Sequence, residues 1–406
     1  MDKDTFFTGQ PIFSQLLQYI PRHLVRDLVN KHSSDRYCKK FFSYDHLVTM
    51  LFTCFHRCTS IREVITGMQA SEHRLRHLGL KNTPRRSTLS EANERRPADF
   101  FQDLFHCIYL HHYRYLPDSR KKKKLERLFI IDSTTITLFT DIMRGAGSYG
   151  LNGKKKGGAK AHVLMRAQDG LPCFVRITEA RMHDKVFLKH VQLPVDSIVV
   201  FDKGYNDYKK FAEWTYQKVK WVTRLNNSAV WKLVKKRQLN QSASEAGVLS
   251  DWVVELGNPR TKSKNPIQTV RIVKFIDPKK HKVFEFLTND MQSLPEEIAL
   301  FYKLRWQIEL LFKRLKQNAP LQYFLGDNSN AIQIQIWCCL IADLLTKIVK
   351  EIAEKLTSRR WSFANLSGLI RIHLNTYVDI IRFLVNPEKA LLHYSTLSPP
   401  IQQTLF

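Results

Sequence analysis

Apolar residues recur at intervals of three and four through residues 13–19, 46–55 and 100–109, the spacing of one face of an α-helix. Residues 1 to about 118 therefore read as helical. Thr88 and Glu91 form a capping box for a helix starting near Leu89. Arg85 and Arg86 stand just before it, and Arg95 and Arg96 inside it. A helical domain with basic helix ends suits DNA reading, but also plain packing with solvated charges. Periodicity does not choose between the two.

The texture changes after the charge run at residues 120–124. Leu128, Phe129, Ile130 and Ile131 form a short continuous apolar run that ends in Asp132. Residues 161–166 and 173–177 read as strands on either side of the turn signal Asp169-Gly170. Residues 186–191 fit a short helix. A second apolar run, Ser197 to Phe201, ends in Asp202. A helix over 209–219 and a strand over 221–225 follow. From about 226 to 289 the pattern is strand-rich, with strands expected at 252–256, 269–276 and 283–287. One long helix is expected from Pro295 to about Gln317, and helices dominate from there on. The most apolar stretch, 332–349, contains Gln333, Gln335, Asp343 and Lys347, and so reads as a core helix rather than a membrane span. There is no internal repeat.

Composition narrows the function. A chain of 406 residues with 44% hydrophobic content can build more than one core. Lys and Arg number 64 against 37 Asp and Glu, a net charge of +27. Such an excess points first to nucleic acid, whose phosphates Lys and Arg neutralise. An anionic membrane surface is the second reading, but the basic residues are spread through globular sequence rather than gathered on one amphipathic helix. The seven Cys, an odd number mostly in apolar runs, read as reduced buried thiols of a cytosolic protein. Cys54 and Cys58 flank His56, but no second pair at zinc-finger spacing follows, so no structural metal is expected there. The first residues do not read as a signal peptide.

Two apolar strands that each end in Asp are the first specific chemical feature. Parallel strands of an open sheet bring their carboxyl ends to one edge, where ligands bind. Paired carboxylates in a basic protein suit Mg²⁺, which prefers oxygen ligands and phosphate co-ligands. Either Asp alone could equally be a turn residue. The helix after Pro295 supplies a third acid. At about 100° per residue, Tyr302, Arg305, Glu309 and Lys316 share an arc of roughly 60°. Phe301, Leu304, Ile308, Leu311, Phe312 and Leu315 occupy a separate packing face. An ordinary amphipathic helix with a solvated Arg305–Glu309 pair would look the same. Lys154, Lys155, Lys156 and Lys160 are most simply phosphate contacts. His162 and His183 could act as ligands or bases; a structural or DNA-positioning role is favoured, because carboxylate-held Mg²⁺ rarely needs His.

The pattern Tyr302-x₂-Arg305-x₃-Glu309-x₆-Lys316 resembles the signature of the IS four family of bacterial insertion-sequence transposases, which are DDE enzymes. Residues 128–134 (LFIIDST) resemble that family's first-Asp strand, and 199–205 (VVFDKGY) its second. Residues 153–162 (GKKKGGAKAH) and 179–184 (EARMHD) resemble its intervening segments. The similarity runs from about residue 80 to about 350, and the helical start resembles an N-terminal domain found on some relatives.

The resemblance implies an α/β fold: an RNase H-like catalytic core at 119–225 and 290–350, interrupted by a β-rich insertion at 226–289. A helical DNA-binding domain at 1–118 and a helical C-terminal region at 351–406, a candidate for dimerisation, would flank it. It also implies cut-and-paste transposition in the bacterial cytoplasm, at the nucleoid. Asp132, Asp202 and Glu309 would hold two Mg²⁺, replaceable by Mn²⁺, about 3.5–4 Å apart. Tyr302, Arg305 and Lys316 would hold phosphates beside a hairpin, and Arg85 and Arg86 would contact DNA. The relatives' base-holding Trp corresponds to Phe284, unless Trp221, Trp231 or Trp252 serves instead. Partners would be the terminal inverted repeats, target DNA and a second copy of the chain, with no membrane. A DNA-binding protein that no longer cuts, and a nuclease that cuts without joining, are the alternatives.

Overall fold

The computed structural model describes residues 9–116, 125–137, 158–179, 182–261, 265–278, 281–321 and 323–389. The chain divides into two compact units, residues 1–117 with 314–406 and residues 118–313.

The first unit begins with α1 (Ile12–Leu17), α2 (Arg22–His32), α3 (Ser43–His56), α4 (Ile61–Ala70), α5 (Arg86–Arg95) and α6 (Ala98–His112). Ser60 caps α4 by accepting from the Glu63 amide, and Asp45 accepts from the Phe42 amide at the start of α3. The box expected at Thr88 and Glu91 does not form. α5 starts at Arg86, with Arg85 at its N-cap and no side-chain cap, and Glu91 pairs with Arg95 one turn later. Arg85 and Arg86 are exposed. Arg96 is not a free surface charge: it is buried and donates to the carbonyls of Ser34 and Phe41 and to Cys38 Sγ. His46 lies fully buried in α3 with one ring nitrogen 2.8 Å from Asn93 Oδ1, and burial pushes its pKa down to about 3.

The second unit is built on one sheet. Its strands are β1 (Leu128–Thr137), β2 (Gly158–Arg166), β3 (Leu171–Glu179), β4 (Ile198–Phe201), β5 (Lys220–Arg224), β6 (Trp231–Lys236), β7 (Val248–Leu256), β8 (Gln268–Asp277) and β9 (Lys282–Thr288). Among the described residues the order is β3-β2-β1-β4-β5-β9-β8-β7-β6. β1, β4 and β5 run parallel, β2 lies antiparallel beside β1 and β3 antiparallel beside β2, and β6 to β9 form an antiparallel meander that joins through β9 to β5. The strand-rich stretch from 226 thus continues the same sheet. β4 is a continuous apolar run because it is central and buried. β6 escaped the sequence reading because it is an edge strand, exposed along its whole length, with no buried face to leave a pattern.

Helix α7 (Tyr208–Tyr216) follows β4, capped by Asp207, and places Phe211 and Trp214 in a core with Phe201, Trp221, Val254 and Ile272. A short helix α8 (Gln241–Glu245) precedes β7. Helix α9 (Pro295–Leu304) opens with Pro at its first position and with Glu297 accepting from the Leu294 amide. It packs on β4, β5 and β7 to β9.

The expected single helix from Pro295 to Gln317 is broken. Arg305 separates α9 from α10 (Trp306–Asn318), and the junction closes through bonds from the Arg305 amide to Tyr302 O and from the Ile308 amide to Arg305 O. These three-residue bonds tighten the chain in 3₁₀ fashion, which the uninterrupted apolar period could not reveal.

The first unit is completed by α11 (Ser329–Leu356), α12 (Phe363–His373) and α13 (Ile380–Val385). By length and composition α11 could cross a membrane, but 89% of its most apolar window is buried inside the protein. Its polar residues have local partners. Gln335 donates to the carbonyls of Pro320 and Tyr323, and Asp343 takes a two-pronged pair from Arg314. The helices from Arg314 onward pack with the N-terminal helices, whereas the resemblance would carry the core to 350.

Candidate active site

The second unit brings three acids to one region. In the parallel register Ile131 lies beside Phe201 and Val200 beside Val222. Asp132, the next residue along β1, therefore neighbours Asp202 just past the end of β4, and Arg224 at the end of β5 continues the row. Glu309 reaches the same group from the first turn of α10.

Arg305 connects them. Its guanidinium donates to Asp132 Oδ2 through one amino group and to Glu309 Oε1, at 2.5 Å, through the other. Asp202 Oδ1 accepts from Arg224 at 2.6 Å and from the Tyr302 hydroxyl at 3.0 Å. Asp132 Oδ1 accepts from the Ser133 amide at 2.8 Å. Among the described residues Asp202 Oδ2 and Glu309 Oε2 have no partner. The Nε atoms of Arg305 and Arg224 are buried without one.

Burial and charge set the two aspartates apart. Burial raises the Asp132 pKa to about 6; Arg305 and the Ser133 amide work against this, while Glu309 and Asp202 add to it. For Asp202 burial also pushes upward, but the hydrogen bonds and charges of Arg224, Tyr302 and Arg305 outweigh it and hold the pKa below its ordinary value. Tyr302 itself is buried, and burial with Asp202 beside it raises its phenol well above the usual range despite Arg305.

These oxygens fit a hard divalent cation in kind and number, and two of them are unengaged. As the side chains stand, no three His, Cys, Asp or Glu residues among those described converge closely enough to hold one. Arg305 stands between Asp132 and Glu309, bonded to both.

The remaining expected residues distribute unevenly. Lys316 is exposed in the last turn of α10, beyond the division between the units. Lys154, Lys155 and Lys156 lie outside the described residues. Lys160 Nζ donates to Asp184 Oδ1 at 3.0 Å. His162 is fully buried, with Nδ1 3.1 Å from the Tyr205 hydroxyl and Nε2 2.9 Å from Thr178 Oγ1, and its ring stacks on Phe187. Burial, helped by Lys160 and Arg176 and opposed by Asp184, pushes its pKa down to about 4. His183 is exposed just before the turn Asp184–His190.

Phe284 is half-buried on β9 and stacks on Phe286, whose ring meets Tyr302 at 4.9 Å. Trp221 is fully buried and stacks on Phe211; Trp231 is partly exposed beside Trp252. Sequence reasoning missed Arg224. The signal was available: β5 is a third parallel strand whose carboxyl end carries a charge.

Comparison with known proteins bears on the whole arrangement. Residues 123–345, more than half of the chain, match the family model described as "Transposase DDE domain", and residues 8–81 match a domain of unknown function, DUF4372. Over 268 residues the chain is 31% identical to "Putative transposase y4zB" of Sinorhizobium fredii, spanning 66% of this chain and 72% of that one. It is 26% identical to "Putative transposase for insertion sequence element IS4SA" of Synechocystis, over 65% and 71% of the two chains. To "Probable transposase for insertion sequence element IS5377" of Geobacillus stearothermophilus it is again 26% identical, over 68% and 70%. Among solved structures, a piggyBac transposase synaptic complex with hairpin DNA aligns with 98% of this chain and 86% of that chain, at 9% identity and a TM-score of 0.42. A likeness of that degree does not by itself fix a shared fold.

Proposed function

The chain belongs to the DDE transposase family, and on that premise we propose that it moves an insertion sequence by cutting at the element's ends and joining them to target DNA, with Asp132, Asp202 and Glu309 as its catalytic acids. The observation that carries this reading is Arg305 bridging Asp132 and Glu309 while Asp202 lines up beside Asp132 on the neighbouring parallel strand.

Asp132, Asp202 and Glu309 would hold two Mg²⁺, or Mn²⁺, which activate the attacking oxygen and stabilise the leaving oxygen of an in-line displacement at phosphorus. Every other task falls to the chain itself. Tyr302 and Arg224 keep Asp202 ionised and oriented through its Oδ1. Arg305 neutralises Asp132 and Glu309 until DNA arrives, then turns to a phosphate, with Lys316 and Lys154 to Lys156 adding further phosphate contacts. The half-buried Phe284, at the outer end of the row Phe284–Phe286–Tyr302, receives a base turned out of the stack.

Water attacks first and frees a 3′-hydroxyl. That hydroxyl attacks the opposite strand to give a hairpin, water reopens it, and the end joins the target. Residues 119–225 and 290–350 serve as the RNase H-like core, and 226–289 as an insertion into its sheet. Residues 1–118 read the inverted repeats through Arg85 and Arg86, and residues 351–406 pair two copies in a synaptic complex. The work is done in the cytoplasm, at the nucleoid.

A duplex carrying an element end tests the reading. Wild type with Mg²⁺ should nick it and join it to target DNA, and a denaturing gel should show the hairpin. Asp132→Ala should bind the duplex as tightly and nick on the order of a thousandfold more slowly, since metal ions supply several kcal/mol of transition-state stabilisation. Equal binding with no nicking by either protein would sink the enzyme reading. Nicking without joining would reduce it to a nuclease.

A further inference from the structure

Three segments around the acids have no part in the proposed chemistry: the one carrying Lys160 and His162, the His183-Asp184 pair, and Gly204-Tyr205 after Asp202. They meet at Asp184. Its Oδ1 accepts from Lys160 Nζ at 3.0 Å and from Ser133 Oγ at 3.2 Å. Its Oδ2 lies so near Gly204 that a Cβ there would stand 3.1 Å from it. Ser133 is the residue after Asp132, and its amide holds Asp132 Oδ1. Gly204 is two residues after Asp202. Tyr205, buried next to it, rests its hydroxyl on His162.

We infer that Asp184 is a positioning residue: it ties the residue after Asp132 to the turn after Asp202 and so sets the spacing of those two carboxylates. This inference rests on the proposed function. Asp184 is not itself offered as a metal ligand, because Oδ1 is committed to Lys160 and Ser133. Lys160 cancels its charge, so a fourth acid can stand near three others without adding to their repulsion. The His162–Tyr205 contact, closed from behind by Thr178 and Phe187, keeps the turn after Asp202 from shifting. Groups that orient metal-binding carboxylates typically cost about 10–100-fold in metal affinity when removed.

The test is Mn²⁺ binding to the full-length protein without DNA, read by electron paramagnetic resonance of the free ion, beside thermal melting. Asp184→Ala should weaken Mn²⁺ binding about 10–100-fold and lower kcat for nicking while leaving KM for the duplex unchanged. Asp184→Asn, which can still accept from Ser133, should recover part of the affinity. Ser133→Ala removes the link to Asp184, together with a hydrogen bond to the Tyr205 phenol, and should weaken binding severalfold, which keeps the inference testable if Asp184→Ala does not fold. A folded Asp184→Ala with affinity within about twofold of wild type would overturn it, as would an unaltered Ser133→Ala. So would an Asp184→Asn no better than Asp184→Ala, since the charge rather than the tether would then matter. These failures leave the proposed function standing provided wild type binds Mn²⁺ and Asp132→Ala does not. Wild type and Asp132→Ala binding alike would overturn both.

Discussion

Two arginine–carboxylate clusters in the second unit invite comparison. In the first, Arg271 of β8 and Asp251 of β7 are 0% and 3% exposed and meet through two 2.7 Å bonds. The remaining amino group of Arg271 donates to the carbonyls of Asp290 and Ser293, and Asp290 in turn is held by Lys220, Ser293 and the Gln292 amide. In the second, Asp132, Arg305 and Glu309 are 16%, 14% and 34% exposed, Arg305 Nε has no partner, and Asp202 adds a third negative charge nearby. Both clusters pair opposite charges in partly or wholly dry surroundings. They differ in completeness: one engages every nitrogen of its arginine, whereas the other leaves donors and acceptors over. A closed network stabilises the fold; an open one keeps groups in reserve for a ligand and gives up stability to do so.

The contrast can be broken most forcefully at Arg271. Arg271→Met takes from buried Asp251 its two-bonded partner and leaves it only Arg237, at 3.4 Å; it should cost about 3–5 kcal/mol in urea unfolding. Arg271→Met with Asp251→Leu should recover most of that, because the one charge that then loses its carboxylate, Arg237, is about a third exposed and keeps its bond to Met291 O. A loss below about 1 kcal/mol for the single change would mean the pair is not structural.

Next in size is a pH effect. His162, at about 4, sits below the unfolded value near 6.5, so the unfolded chain takes up its proton first. Its contribution is complete above pH 6.5 and is lost as pH falls toward 4, by about 2–3 kcal/mol. His46 in the first unit acts in the same direction. His162→Gln should flatten this limb of a melting-against-pH curve, and an unaltered slope would count against a buried neutral ring.

Asp132 carries the opposite sign. Its pKa near 6 lies above the unfolded value, so the folded state holds the proton longer and stability is lost as pH rises from about 4 through 6. Asp132→Asn should therefore gain about 1–2 kcal/mol at pH 7 in metal-free protein, with the gain vanishing below pH 4. Should this variant lose as much as Arg271→Met, the two clusters would be alike and the distinction would fall. The smallest effect is at Lys316: the exposed change Lys316→Ala should move stability by less than about 0.5 kcal/mol. It should also lower the salt dependence of DNA binding by about one phosphate contact; an unchanged slope would remove Lys316 from the interface.

Much of the second unit was readable in advance for a plain reason. Its central strands, β1 and β4, are buried on both faces, so they appear as unbroken apolar runs with Asp at the end. Tyr302, Arg305 and Glu309 were readable as a group because they lie close in the chain. What escaped depends on partners distant in sequence or on the absence of burial. Nothing near Lys160 indicates that it answers to Asp184, and nothing near His162 indicates Tyr205. The strand β6 carries no buried face, and the break at Arg305 leaves the apolar period on either side intact. Arg96 looked like a surface charge because its acceptors, Ser34 and Phe41, lie some sixty residues back.

The first unit is assembled from both ends of the chain. The Gln15 side chain donates to Val378 O and accepts from the Ile380 amide, across 363 and 365 residues. During synthesis at roughly 5–20 residues per second, α1 would therefore wait on the order of 20–70 s for the partners that fix it. Residues 118–313 are contiguous and can fold while that wait runs. Ribosome pauses between about residue 320 and 380 would then leave a finished sheet beside an unfinished helical unit, with the apolar faces of α1, α3 and α6 short of the helices that cover them.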